Sequence, residues 1–484
     1  MLQLIMLNKF AIKLLASLPY LFVFFASLSY SHDPDLGWHL KYGQHFINSG
    51  EVLRINIYST MMSGYEWVNG GWLSDVLLFL IFQLSGFVGL TLVGALCVTS
   101  TFFVFSKSVM LSRNLQFLIF PLIIFLIQPI ISTSLRGQHL SLLFFGFVIF
   151  LLTRLIKRKS NRIFSGIVGC ILLVILFWSN LHQESFLGLA TLGLWTGISI
   201  ARKDKNTIKI FLAIFALSVI ATFVNPFGAR TYEVALSHIS DPLLKNVQEY
   251  LPFKTSTLNW WKLCIATLFS IVVFFFLVRR KRFEAIYIGI TLLVLLALSF
   301  FIRRFAWPGF YLLIPFFGIA GSFYKENLFK KRIYIAIFFA LAFLVVGLQK
   351  ISMFGHGVEN WTLYCAQLAT PCSKKSADYI VDNLAEDKIY TFYDWGGFLI
   401  WNYPTIKPSI DGRMHLWRDK YGYSSTQEYI DIEKGKVSIN NTRYSAVFIP
   451  KYRTGLYREL AKLVAQRKWK KVYEDKYSVI VVRN

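Results

Sequence analysis

Runs of apolar residues long enough to cross about 30 Å of hydrocarbon, roughly 20 residues each, recur through the first 350 positions of this chain. They lie near residues 10–30, 76–106, 114–131, 139–153, 163–179, 185–200, 208–224, 261–278, 284–302, 305–323 and 333–349, about eleven in all. Backbone in hydrocarbon must satisfy its own hydrogen bonds, so each run is expected to be a helix. The fold class expected is a polytopic α-helical membrane protein. Composition agrees: 55% of the 484 residues are hydrophobic and only 16% are charged, against about 25% charged in soluble domains. A disordered chain, a collagen and a small disulfide scaffold are excluded.

The formal net charge of +25 would suggest nucleic acid in a soluble chain, but its distribution assigns it to topology. Lys9 and Lys13, the connector 107–113, Arg154 with Lys157, Arg158 and Lys159, Arg202 with Lys203 and Lys205, Arg279 to Arg282, and Lys330-Lys331-Arg332 recur after every second crossing. Such basic connectors face the cytoplasm. The opposite connectors carry Asp33, Asp35, Glu51, Glu66, Glu184, Glu233, Asp241 and Glu249. Both signals place the amino end inside and the carboxyl end outside the cytoplasmic membrane, with membrane lipid rather than nucleic acid as the partner. The first apolar run lacks a well-formed cleavage site and reads as an uncleaved span. Within the long run 73–105, Gly86 is expected to separate a short surface helix from the crossing proper.

After residue 350 charged residues alternate with short apolar runs, the pattern of a soluble domain. A helix is expected over 376–384, strands over 388–393 and 445–449, a further helix over 457–464 and a hairpin of 470–474 with 477–482. The expected division is a transmembrane domain over 1–350, with its first external loop at 31–72, and an extracytoplasmic α/β domain over 351–484. Cys365 and Cys372 fall in the external part, where an oxidising compartment favours a disulfide. Cys97, Cys170 and Cys264 lie in spans as small apolar fillers.

Chemistry is expected at the outer face. The first external loop opens His32-Asp33-Pro34-Asp35-Leu36-Gly37-Trp38-His39, two carboxylates in an Asp-x-Asp arrangement just beyond a span. Such a pair can divide labour between a base and a ligand to a divalent cation. Aromatic and amide groups follow at Tyr58, Trp67, Asn69 and Trp72, ahead of Asp75, a set suited to stacking on sugar rings and bonding their hydroxyls. Arg303 and Arg304 break the charge rule in a short external turn, and Arg136 stands in another; arginine forks hold phosphate in a bidentate grip. His182, Glu184 and Glu249 occupy the remaining outer connectors, where His182 and Glu249 are candidates to join Asp35 around Mg or Mn. No Walker A sequence, Gly-rich dinucleotide turn or Ser/Cys-His-Asp arrangement is readable.

The many spans, the acidic Asp33-Pro34-Asp35 loop beside the first of them and the external carboxyl-terminal domain resemble the GT-C fold glycosyltransferases. Tyr393-Asp394-Trp395-Gly396-Gly397, followed by Ser409-Ile410-Asp411-Gly412-Arg413, resembles the WWDYG motif of oligosaccharyltransferase catalytic subunits, although the order of its residues differs. The resemblance implies an inverting hexosyl- or pentosyltransferase. It would take a polyprenyl-phosphate-linked sugar and pass it to a lipid, glycan or protein acceptor at the outer face of the cytoplasmic membrane. In that scheme Asp33 is the base and Asp35 orients the acceptor or holds a cation. Arg303, Arg304 and Arg136 hold the donor phosphate, while Asp394, Trp395, Asp411 and Arg413 hold the acceptor. The alternatives are a lipid-linked glycan transporter or flippase, and an enzyme like the O-antigen ligases or polymerases.

Overall fold

The structure, a computed structural model, describes residues 17–128, 135–157, 161–323, 361–384, 388–451 and 454–484. The start of the first expected span, the span at 333–349, Lys9, Lys13 and the 330–332 connector lie outside the described residues. The chain divides into two compact units, one of Met1–Ser29, Thr91–Gly228 and Gln248–Gly355, the other of Tyr30–Leu90, Ala229–Val247 and His356–Asn484.

The first unit is helical. Among the described residues four helices are long and apolar enough to cross a membrane, Trp72–Ser108, Gly137–Ile156, Lys205–Thr222 and Leu258–Arg279, and five shorter apolar helices run 10–17 residues. The longest begins in the second unit and continues into the first from Thr91. It is broken at Gly86 (φ 55°, ψ −147°), a conformation that L side chains rarely adopt. The helix Leu258–Arg279 shows why these elements suit lipid. Leu263, Ala266, Ser270 and Leu277 form its buried stripe, while Ile265, Leu268, Val272 and Phe275 form an exposed apolar one. Hydrocarbon is the solvent that makes such an exposed stripe inexpensive. Polar anchors tie the core: the Trp195 indole donates to Thr291 Oγ1 at 2.9 Å, and the Trp178 indole to Ser141 Oγ at 3.0 Å.

The second unit holds a four-stranded sheet, β1 (Ile389–Thr391), β2 (Ala446–Pro450), β3 (Trp469–Glu474) and β4 (Ser478–Arg483), in the order β1-β2-β4-β3. β1 and β2 run parallel, Ile389 opposite Ala446, and β4 is antiparallel to both its neighbours. On one face Tyr390, Val447, Ile449, Val479 and Val481 pack with Leu456, Leu460 and Leu463 of the helix Thr454–Ala465. On the other, Trp395 lies against Phe448 at a ring separation of 4.7 Å. The parallel pair requires a crossover between β1 and β2, and residues 392–445, which carry Asp394, Asp411 and Arg413, make it.

The acidic loop reaches this crossover through two glycines. A Cβ on Gly37 would stand 1.8 Å from the Gly397 carbonyl oxygen, and one on Gly397 would stand 2.2 Å from the Pro34 carbonyl oxygen. The helices Leu36–Ser49 and Gly396–Asn402 thus cross backbone to backbone. Gly37→Ala must push them apart and is expected to cost about 1–3 kcal/mol or more. Unfolding midpoints in detergent would show it, and an unchanged midpoint would contradict the close crossing.

Candidate active site

The second unit gathers the acidic motifs. Asp33 is buried, its Oδ1 accepts the Asp35 backbone N–H at 3.1 Å, and its carbonyl accepts the Tyr364 hydroxyl at 2.6 Å. Asp35, half-buried, stands at the N-cap of the helix Leu36–Ser49, and its Oδ1 accepts the Trp38 indole N–H at 3.0 Å. This carboxylate lies directly on Gly412, where a Cβ would come within 1.9 Å of Oδ1. The Asp-x-Asp loop and the Asp411-Gly412-Arg413 segment, remote in sequence, therefore share one site.

Asp411 and Arg413 form its floor. The guanidinium donates from Nε and Nη2 to the two oxygens of Asp411, each at 2.8 Å, and both side chains are fully buried. Nη2 also reaches Asn56 Oδ1 at 3.2 Å and Ser59 Oγ at 3.3 Å. The rings of Trp67, Tyr58 and Trp417 surround the cation at 5.2–5.5 Å, an arrangement that favours a desolvated positive charge. Its Nη1 is buried without a partner among the described residues. Arg413 is thus a fixed cation under the acidic loop.

Asp394 and Trp395 lie in the turn that leaves the carboxyl end of β1. Trp395 is fully buried, and its indole donates to the Thr370 carbonyl at 3.1 Å. Asp394 is half-buried, beside the half-buried Tyr393. Burial, and then the charges of Asp35, Asp411 and Asp394, raise the Tyr393 phenol well above its ordinary value. The site therefore keeps a neutral hydroxyl among three carboxylates.

A second omission is the pair His39 and Asp75. The His39 Nδ1 stands 2.5 Å from Asp75 Oδ1, and the Asn69 amide donates to the other oxygen at 2.6 Å. Burial alone would lower the imidazole, but the Asp75 carboxylate, helped by Asp33 and Asp35, raises it above its ordinary value. The sequence signal was present in the spacing of Trp38-His39 and Asn69 to Asp75, though nothing local shows that the two segments meet.

The outer-connector residues converge in the first unit. Arg304 donates from Nε to Glu184 at 2.8 Å and from Nη1 to Glu249 at 3.0 Å. Glu249 also accepts from Gln138 at 3.3 Å and stands 3.8 Å from Arg136. His182 Nδ1 lies 2.8 Å from Ser141 Oγ and 3.5 Å from Glu184. Arg303 donates instead to the carbonyls of Leu251 and Pro252, at 3.1 and 3.0 Å. Among the described residues no group of three or more His, Cys, Asp or Glu side chains is placed to hold a metal ion. Of the residues expected to hold a cation, Glu249 faces arginine and amide partners and His182 faces Ser141 and Glu184.

Burial would raise the Glu184 carboxyl, but Arg304 and then His182 pull it down to about 2 from 4.5. A depressed folded-state pKa contributes stability that is fully present above the unfolded value and disappears as pH falls through the folded one. Between pH 4.5 and 2 the thermal midpoint of the wild type is expected to fall more steeply than that of Glu184→Gln. Parallel curves in that window would show that the pair contributes nothing.

The fold, apolar helices in one unit and a four-stranded sheet in the other, is similar to that of known structures. Two solved structures carry the comparison. The first is ArnT from Cupriavidus metallidurans in the apo state, with a TM-score of 0.56, 13% identity and 98% of each chain covered. The second is the archaeal oligosaccharyltransferase AglB from Archaeoglobus fulgidus, in complex with an inhibitory peptide and a dolichol-phosphate. It has a TM-score of 0.54 and 12% identity, over 96% of this chain and 73% of that one. At these identities the likeness is one of fold. No protein-family model matches the sequence, and no curated protein matches it.

Proposed function

We propose that this chain is an inverting membrane glycosyltransferase that moves a sugar from a polyprenyl-phosphate donor to an acceptor hydroxyl at the outer face of the cytoplasmic membrane. The observation that carries the reading is the meeting of Asp33 and Asp35 with Asp411, Gly412 and Arg413 in one unit of a GT-C fold. Asp33 takes the acceptor proton as the acceptor atom bonds to the anomeric carbon. The bond from that carbon to the phosphate oxygen breaks, and its electron pair leaves with the polyprenyl phosphate. Asp35, held by Trp38 and Gly412, orients the acceptor. Asp394 lies at the mouth of the same crossover and contacts the acceptor. Trp395, Asp411 and Arg413 hold the shape of its site from within.

Arg136, Arg303 and Arg304 receive the donor phosphate in this scheme. The Arg304 fork already grips two carboxylates, whereas the contact of Arg136 with Glu249, at 3.8 Å, is the looser one. The apolar helices of 10–17 residues are read as further crossings, toward the eleven expected, with the amino end cytoplasmic and residues 351–484 outside.

The test uses purified chain in lipid vesicles with polyprenyl-phosphate-linked hexoses and pentoses, and acceptor lipids, glycans and peptides. Acceptor-dependent release of free polyprenyl phosphate is the expected result. Movement of the intact lipid-linked sugar between leaflets, with no release from any donor, would replace transfer by transport.

A further inference from the structure

We propose that His39 and Asp75 are positioning residues for the acidic loop, acting on Asp35 through the Trp38 indole. This inference rests on the transferase reading above and names further parts of the same site. The Asp75 side chain is fully buried in the first turn of the helix that starts at Trp72. Both its oxygens are used, one by His39 Nδ1 at 2.5 Å and the other by the Asn69 amide at 2.6 Å. That grip fixes the plane of the imidazole. The ring lies on Trp38, with centroids 3.6 Å apart and planes 29° apart. A second contact sets Trp38 from the side, the edge of Trp67 at 5.7 Å. The indole N–H, oriented by those two rings, donates to Asp35 Oδ1 at 3.0 Å.

The sequence of contacts therefore runs from Asp75 to His39, from His39 to Trp38 by stacking, and from Trp38 to the carboxylate that orients the acceptor. Gly43 seals its base. A Cβ there would stand 2.2 Å from the Asp75 carbonyl oxygen, so the backbones of the two helices touch beside the pair. Ordering of this kind is what fixes a reacting group within the fraction of an ångström that turnover requires, and a misplacement of about 1 Å can cost 10²-fold.

The chemistry of each link sets the variants. Asp75→Asn leaves one acceptor oxygen for two donors, so the imidazole or the Asn69 amide loses its partner. Trp38→Phe keeps an aromatic ring under His39 but removes the indole N–H. Both are expected to lower kcat by about 10–100-fold while the KM for the lipid-linked donor stays within about twofold. Because the two changes cut one chain of contacts, Trp38→Phe with Asp75→Asn is expected to be no worse than the poorer single variant.

A second readout does not depend on turnover. In wild-type protein with 15N-labelled tryptophan, the indole resonance that disappears in Trp38→Phe is that of Trp38, and Asp75→Asn is expected to move it. Unchanged kcat in folded Asp75→Asn, or lower thermal midpoints with turnover per folded molecule intact, would overturn the proposal. An indole resonance that ignores Asp75→Asn would overturn it equally. Inactive Asp33→Asn beside fully active Asp75→Asn would leave the transferase reading standing and remove only this one. Wild type that releases no polyprenyl phosphate would remove the transferase reading, and the indole shift then decides whether Asp75 governs Trp38.

Discussion

Asp33→Asn is expected to lower turnover of sugar transfer by about 10²–10⁴-fold, the usual contribution of a positioned general base, and to leave the chain folded. The local hydrogen bonds tolerate the change. Asn keeps an oxygen where Asp33 Oδ1 accepts the Asp35 N–H, and the Tyr364 hydroxyl bonds to the Asp33 backbone carbonyl, which the substitution does not touch. What the variant loses is the capacity to accept a proton. In cells, wild type and variant at matched membrane abundance are compared for lipid-linked sugars and glycosylated envelope material. The variant should accumulate one polyprenyl-linked sugar and lack one modified product. Unimpaired transfer by Asp33→Asn would remove Asp33 from the mechanism.

Arg413→Gln is expected to produce the largest loss of stability. Asp411 and Arg413 are fully buried and joined by two hydrogen bonds, so removing the cation strands a carboxylate away from water. Breaking a buried pair from one side costs about 3–5 kcal/mol. The aromatic rings around the guanidinium lose their cation as well. Adding Asp411→Asn to Arg413→Gln removes the stranded charge and should recover part of the loss, whereas Arg413→Lys, which keeps the charge without the planar fork, should fall between. Denaturant midpoints of the four proteins in one detergent check the order. If Arg413→Gln matches wild type, the pair is not the floor described here.

The helices and strands were legible because each is written in a local period. The strands at 389–391 and 446–450 and the hairpin of 469–474 with 478–483 fall where alternation and turn residues place them. So do the apolar helices. The acidic loop and the Asp394 and Asp411 motifs were also visible as separate candidates. What local pattern cannot carry is their meeting. At Gly37 and Gly397 only the opposed backbones show that a Cβ is excluded, and at Gly412 only the overlying Asp35 carboxylate does. The grip of Arg304 on Glu184 and Glu249 spans 120 and 55 positions, and only the structure shows both carboxylates on one guanidinium. Trp395 read as an acceptor contact because an aromatic residue in a Gly-rich turn has no local sign of burial. Asp75 read as part of a sugar-binding cluster, since its bond to His39 spans 36 positions.

The distances in sequence also set a timetable. The Asp33 carbonyl waits for Tyr364, 331 positions later, and Asn56 waits for Arg413, 357 positions later. At roughly 5–20 residues per second of synthesis, the acidic loop spends on the order of 20–70 seconds without the segment that covers it. During that interval most of the apolar helices are already made. The buried rings of Trp38, Tyr42 and Trp67 have no partner in Met414 or Trp417 until those residues are added. The candidate active site therefore takes shape only after residues 411–417 are made, and a nascent chain halted before residue 410 would hold Asp33 and Asp35 without the floor of Asp411 and Arg413.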